Sequence, residues 1–159
     1  MIYLGLDCGG MNKGSHAGTG LTILHSDTGE LALLECRQVN WDEWTLAGAL
    51  QHYVATYDVD KVIYEEFIPR RGVPFETDTM YLNGAIKAVV EPSLRVGYTP
   101  SAHKGGVKRD YAKHLVQRAN FKVQQGHVVD STSLCVYHGL REHNPTILED
   151  YRQWLGSRQ

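Results

Sequence analysis

Three short segments carry side chains that could do chemistry together. Asp7 closes an apolar run of strand formers that starts at Ile2. Glu65 and Glu66 close a second such run, Lys61 to Tyr64. His127 and Asp130 stand three apart in Gly126-His127-Val128-Val129-Asp130-Ser131, so a helical turn there puts both on one face. Taken singly, each has an ordinary reading. An acid at the end of a buried strand needs a positive neighbour and can be half of a structural ion pair. Asp130 can cap a helix or favour its dipole, and His127 can be a plain surface or core histidine. Taken together they form a set that hard divalent cations such as Mg²⁺ accept. A two-metal phosphodiesterase needs such a set, with one ion at the attacking water and one at the leaving oxygen, roughly 3.5–4 Å apart. Adjacent strand residues face opposite sides, so only one of Glu65 and Glu66 can share a face with Asp7.

The pattern around these segments predicts what must position them. Strands are expected over 2–7, 19–25 and 30–37, the last two joined by a turn at Asp27-Thr28-Gly29, so that the three form a meander. From Asp42 the period becomes helical, with Trp44, Leu46, Leu50, Tyr53, Val54 and Tyr57 recurring on one side. A fourth strand over 61–66, a loop over 67–75, a helix over 77–91 stopped by Pro92, and a fifth strand over 94–98 follow. A loop over 99–106 then leads to helices over 107–119, 129–142 and 147–155. Three strands, helix, strand, helix, strand and helices describe an α/β protein with a five-stranded mixed sheet flanked by helices. If the first and fourth strands are adjacent and parallel, their terminal acids come within metal-bridging reach. With no internal repeat or linker, residues 1–159 read as one domain.

Composition narrows the class. Hydrophobic residues make up 42% and formal net charge is -2, so the chain does not coat nucleic acid by bulk charge. A local basic face is still available. Lys104 and Lys108 are four apart, as are Arg109 and Lys113, and Arg70 and Arg71 follow the second acidic strand. Phe67, Phe75 and Tyr81 could stack on unpaired bases or simply fill the core. Cys8, Cys36 and Cys135 form no C-x-x-C pair and read as reduced, buried thiols. No run approaches the ~20 apolar residues that span a membrane, and the start does not read as a signal peptide. A cytoplasmic protein is the expectation.

The motifs also carry a family resemblance. Leu4-Gly5-Leu6-Asp7 with Gly9, followed by Thr19-Gly20-Leu21-Thr22-Ile23, resembles the opening of the RuvC-type Holliday-junction resolvases. Val62-Ile63-Tyr64-Glu65 with Phe67 resembles their second acidic strand. Tyr98-Thr99-Pro100-Ser101 with Lys104 resembles the segment before their basic helix, and Gly126 to Ser131 resembles their closing acidic helix. The likeness runs in order over nearly the whole chain, with Ser131 where the family usually has Ala and Glu66 as an extra acid. It implies an RNase H-like fold and a site of Asp7, Glu65, His127 and Asp130 holding Mg²⁺ or Mn²⁺, two ions per site. It also implies a homodimer, to which the 77–91 helix contributes, acting on branched DNA that Arg70, Arg71, Lys104, Lys108, Arg109 and Lys113 would grip. The compact length is in keeping with a phage-encoded member. Two other readings stand beside this one. The first is a non-catalytic junction-binding module. The second is an actin-like phosphotransferase, because Asp7-Cys8-Gly9-Gly10 with Thr19-Gly20 mimics a phosphate loop; such proteins close on nucleotide between two domains, and 159 residues are too few for two.

Overall fold

The structure is a computed structural model that describes residues 1–9, 18–69, 71–72, 77–121 and 126–158. Strands β1 (Ile2–Cys8), β2 (Thr19–Asp27) and β3 (Glu30–Val39) form the expected antiparallel meander. Its hairpin turns on Thr28-Gly29, where Gly29 takes a positive φ of 78°. β4 (Lys61–Glu65) and β5 (Arg95–Tyr98) join in parallel, giving the order β3-β2-β1-β4-β5. β1 and β4 are thus adjacent and parallel.

Strand alternation sorts β1 between two layers. Leu4, Leu6 and Cys8 face helices α1 (Glu43–Tyr57) and α2 (Thr77–Val89), packing with Leu46, Leu50, Leu82 and Ile86. Asp42 starts α1 by accepting a hydrogen bond from the Thr45 N–H at 2.7 Å. Tyr3, Gly5 and Asp7 face the other way, under α5 (Gly126–Arg141). Helices α4 (Gly106–Arg118) and α6 (Pro145–Gly156) complete that layer. Among the described residues, no helix is long and apolar enough to cross a membrane. The three cysteines are free and buried, as expected.

α5 is buried on nearly all sides, which marks it as a core helix. It lies unusually close to the sheet. A methyl group at Gly5 would fall 2.3 Å from the Ser131 carbonyl oxygen, and one at Gly20 would fall 1.9 Å from the His127 carbonyl oxygen. Only glycine allows this contact. Polar groups at the interface are satisfied: Thr22 Oγ1 shares hydrogen bonds with Ser131 Oγ at 2.8 Å and Thr132 Oγ1 at 2.9 Å.

Several expected boundaries shift. The fourth strand ends at Glu65 rather than Glu66, although the Glu66 N–H still bonds the Tyr98 carbonyl at 2.8 Å. The expected 99–106 loop contains a short helix, α3 (Pro100–His103), because Pro100 is suited to a first helical position. α5 begins at Gly126 rather than Val129, one turn earlier, so His127 is helical. Arg70 and Phe75 lie outside the described residues.

We expect Gly20→Ala to lower stability by about 3 kcal/mol, the upper end of the cost of overpacking, because the added methyl meets backbone that cannot move alone. Gly48→Ala, on α1 with nothing within 4 Å, should instead raise stability by about 1 kcal/mol. Denaturant midpoints measure both; equal, small effects would mean that α5 can lift from the sheet freely.

Candidate active site

Parallel pairing of Leu6 with Tyr64 sets Asp7 beside Glu65 at the same end of the sheet. The α5 helix brings His127 and Asp130 to that end from above. Asp7 is 1% exposed, and its Oδ2 lies 2.5 Å from His127 Nδ1, a contact that needs a shared proton. The carboxylates converge on one cation. Lys104 Nζ lies 2.7 Å from Glu65 Oε2, 3.1 Å from Asp7 Oδ1 and 3.8 Å from Asp130 Oδ2. Arg109 donates from Nε to Asp130 Oδ1 at 2.6 Å. Glu66 points away and pairs with Lys87 at 2.9 Å. The alternation argument thus resolves the two acids, and Glu65 is the one that faces Asp7.

The electrostatics follow from burial and pairing. Burial pushes the Asp7 carboxyl above its ordinary value, and Glu65 adds to this against the opposing pull of His127 and Lys104. Burial acts the same way on Glu65, but hydrogen bonds from His103 and Lys104 outweigh it and hold that carboxyl down at about 2. Burial disfavours the Lys104 ammonium, yet Asp7 and Glu65 together push its pKa above the usual lysine value, so it stays charged.

Two of the basic residues expected at a DNA face are therefore turned inward. Lys104 and Lys108 were expected to share a positive face, but α3 ends between them and α4 starts at Gly106, which takes a positive φ of 63°. Lys104 caps α3 and reaches into the acids. Lys108 lies over the Tyr137 ring, 5.0 Å from its centroid. Arg109 holds Asp130. Arg71 and Lys113 are exposed. Tyr81, placed by the pattern in the core or at a stacking site, is 52% exposed, and Phe67 is half-buried, its N–H bonded to Asn83 Oδ1 at 2.8 Å.

His103 is the site residue that the sequence hid. Its ring is fully buried, with Nε2 3.1 Å from Glu65 Oε2. Its Nδ1 is buried without a hydrogen-bond partner, and its carbonyl accepts from Ser133 Oγ at 2.6 Å. Nothing in its spacing distinguishes it from the seven other histidines. The cue was its place directly before Lys104 in the motif.

Comparison with solved structures decides the fold. Thermus thermophilus RuvC aligns at a TM-score of 0.67 and 17% identity, over 92% of this chain and 98% of that one. The fold is that of the RuvC-type resolvases. T. thermophilus RuvC in complex with a Holliday-junction substrate aligns at a TM-score of 0.66 and 14% identity, over the same shares of the two chains. The fowlpox virus Holliday-junction resolvase aligns at 0.53 and 16%, over 89% of this chain and 99% of that one. No family model matches the chain, and no curated protein matches it in sequence. The RuvC-like architecture is thus carried by three-dimensional arrangement more than by residue identity.

The convergence on Lys104 makes a direct prediction. In Lys104→Met the carboxylates face one another without their shared cation. Removing one partner of a buried pair costs about 3–5 kcal/mol; with Lys104 32% exposed, the loss should be about 3 kcal/mol. It should appear in thermal melts with chelator and shrink when excess Mn²⁺ is added. A variant as stable as the parent in chelator would mean that the acids do not need a cation.

Proposed function

We propose that the chain is a metal-dependent endonuclease that hydrolyses phosphodiester bonds in four-way or otherwise branched DNA, with residues 1–159 acting as one domain. The observation that carries this reading is the convergence of Asp7, Glu65 and Asp130, from three different elements, on one cation at the end of the sheet. The RuvC-like fold supports it, since proteins of that fold include a RuvC held with a Holliday-junction substrate and a viral Holliday-junction resolvase.

The donor set fits a hard divalent ion. Three carboxylates supply the oxygens that Mg²⁺ or Mn²⁺ prefers, and His127 adds a nitrogen beside Asp7. Among the described residues, no three His, Cys, Asp or Glu side chains are closed enough to hold a metal as they stand; the Lys104 ammonium lies in the gap they face. Asp7, Glu65, Asp130 and His127 would hold the ions once Lys104 withdraws. Bound Mg²⁺ or Mn²⁺, two per site, would supply acidification of the attacking water and charge compensation at the leaving oxygen. The chain's own residues do the rest. His103 holds Glu65 by its Oε2, and Arg109 holds Asp130 by its Oδ1, so both acids are oriented before substrate arrives. Lys104, released from the acids, can meet a non-bridging phosphate oxygen. The oxygen of water adds to phosphorus, one phosphorus–oxygen ester bond breaks, and a proton goes to the departing sugar oxygen. No covalent enzyme intermediate is needed.

Arg70, Arg71, Lys108 and Lys113 would contact flanking phosphates. Paired nicks on a four-way junction call for a homodimer with a two-fold axis, and the exposed side chains of Ile68 and Tyr81, 49% and 52% exposed, offer apolar surface for it. A non-catalytic junction-binding module is the second reading, and Lys104 seated among the acids favours it.

Cleavage of labelled four-way junction, Y-fork and linear duplex, with Mg²⁺ or chelator, separates the two. The wild type should cut the junction only with metal. Glu65→Gln should lose activity by orders of magnitude while still binding junction, because a neutral amide holds a divalent ion poorly. Glu66→Gln should cut nearly as well as wild type. Binding without cutting under every metal supplied would establish the non-catalytic module instead.

A further inference from the structure

Beyond the acidic site, one face of α5 carries a line of groups that the cleavage chemistry does not use. Ser133, Tyr137 and Arg141 succeed one another at four-residue spacing, so they lie along one side of the helix. Ser133 starts the line against His103, within the active-site shell. Tyr137 comes next, with the Lys108 ammonium 5.0 Å from its ring centroid. The Tyr98 ring meets Tyr137 edge-on, with centroids 4.9 Å apart, and the Arg141 guanidinium lies 6.0 Å from the Tyr98 ring centroid. Cations and rings therefore alternate away from the site.

Two grooves flank this line, and Arg141 stands on the border of both. One, of about 460 Å³, lies between α5 and α6 and is lined by Lys108, Tyr137, Arg141 and Arg152, with leucines and Tyr151 beneath and no acidic residue. The other, of about 760 Å³, opens beside β5 and is lined by Lys61, Tyr98 and Arg141, with Glu142 as its one carboxylate. In a chain of net charge -2 this is a local excess of positive charge. Among the described residues, Lys108, Arg141 and Arg152 form no ion pair with a carboxylate, as is also true of Lys61, Arg71, Arg95 and Lys113; what sets the strip apart is that its cations stand together among aromatic rings.

We propose that this strip is a second nucleic-acid surface, which takes the sugar–phosphate backbone of a DNA arm leading away from the cleavage site. This rests on the junction-endonuclease reading and deepens it. The chemistry matches a polyanion: cations without carboxylate partners are free to meet phosphates, and rings that hold the long Lys and Arg side chains in place reduce the ordering needed on binding. Positive grooves interleaved with aromatic rings follow a nucleic-acid strand by this logic. The dimensions also match. The solvent-facing part of the line, from Tyr137 to Arg141, is four residues, about 6 Å along the helix, close to the axial span of two phosphate steps on one strand at ~3.4 Å each.

The test compares full-length wild type with the double variant Arg141→Gln and Arg152→Gln, each first checked for an unchanged melting temperature. Affinity is measured over a salt series for a four-way junction with long duplex arms and for one whose arms are trimmed close to the crossover. Two lost phosphate contacts should reduce the slope of log affinity against log salt by about 1.8 on the long-armed junction, at about 0.9 per contact. On the trimmed junction the slope and affinity of the variant should match those of the wild type. A variant with wild-type slope and affinity on long arms overturns the strip, as does an equal loss on both substrates. Failure of the wild type itself to bind or cut either junction would count against the endonuclease reading, a result distinct from both.

Discussion

The His127 and Ser131 carbonyls occupy the space where side chains would begin at Gly20 and Gly5. That approach of α5 to the sheet is what the rest of the site depends on. With any larger residue at either position the helix must stand off, and His127 and Asp130 move with it. The hydroxyls of Thr22, Ser131 and Thr132 complete the contact, because backbone and side-chain polar groups pressed this tightly must bond each other. A small, polar interface here costs apolar burial. In exchange it fixes the N-terminal turn of α5 over the ends of β1 and β4.

Close placement of Asp7, Glu65 and Asp130 brings repulsion with it. The protein meets this repulsion with Lys104 at the centre and Arg109 at the flank. The opposite perturbations of Asp7 and Glu65 express the same balance. Asp7 is the more deeply buried and is pushed up, while Glu65 receives both His103 and Lys104 and is held down at about 2. A site that stores negative charge around one ammonium is suited to exchange that ammonium for a stronger cation. The same exchange would free a lysine for the substrate's phosphate.

Much of this was legible in the residues. Two acid-ended apolar runs in a strand-rich chain needed only to be adjacent and parallel, as β1 and β4 are, for their acids to meet, and period-two alternation required Glu65 and Glu66 to part. The three-residue spacing of His127 and Asp130 puts both on one face of any helical turn that includes them. What the sequence concealed was long-range. Four-residue spacing suggested that Lys104 and Lys108 share a surface, but Gly105-Gly106 breaks the helix between them and sends Lys104 inward. The role of His103 depends on its burial beneath Ser133, thirty residues away in the chain, which no local pattern encodes. α5 starts a turn earlier than its apolar period suggested, because Gly126 and His127 in its first turn are not apolar and the His127 carbonyl is seated against Gly20.

The central claim is that the acids gathered by α5 form a metal site. Diffraction from crystals soaked in Mn²⁺, recorded at the manganese edge, tests it most directly. Anomalous density should appear among Asp7, Glu65 and Asp130, with the Lys104 ammonium displaced from between them, and should vanish in Asp7→Asn. Full-occupancy Lys104 between the acids at saturating Mn²⁺, with no anomalous density there, would contradict the account.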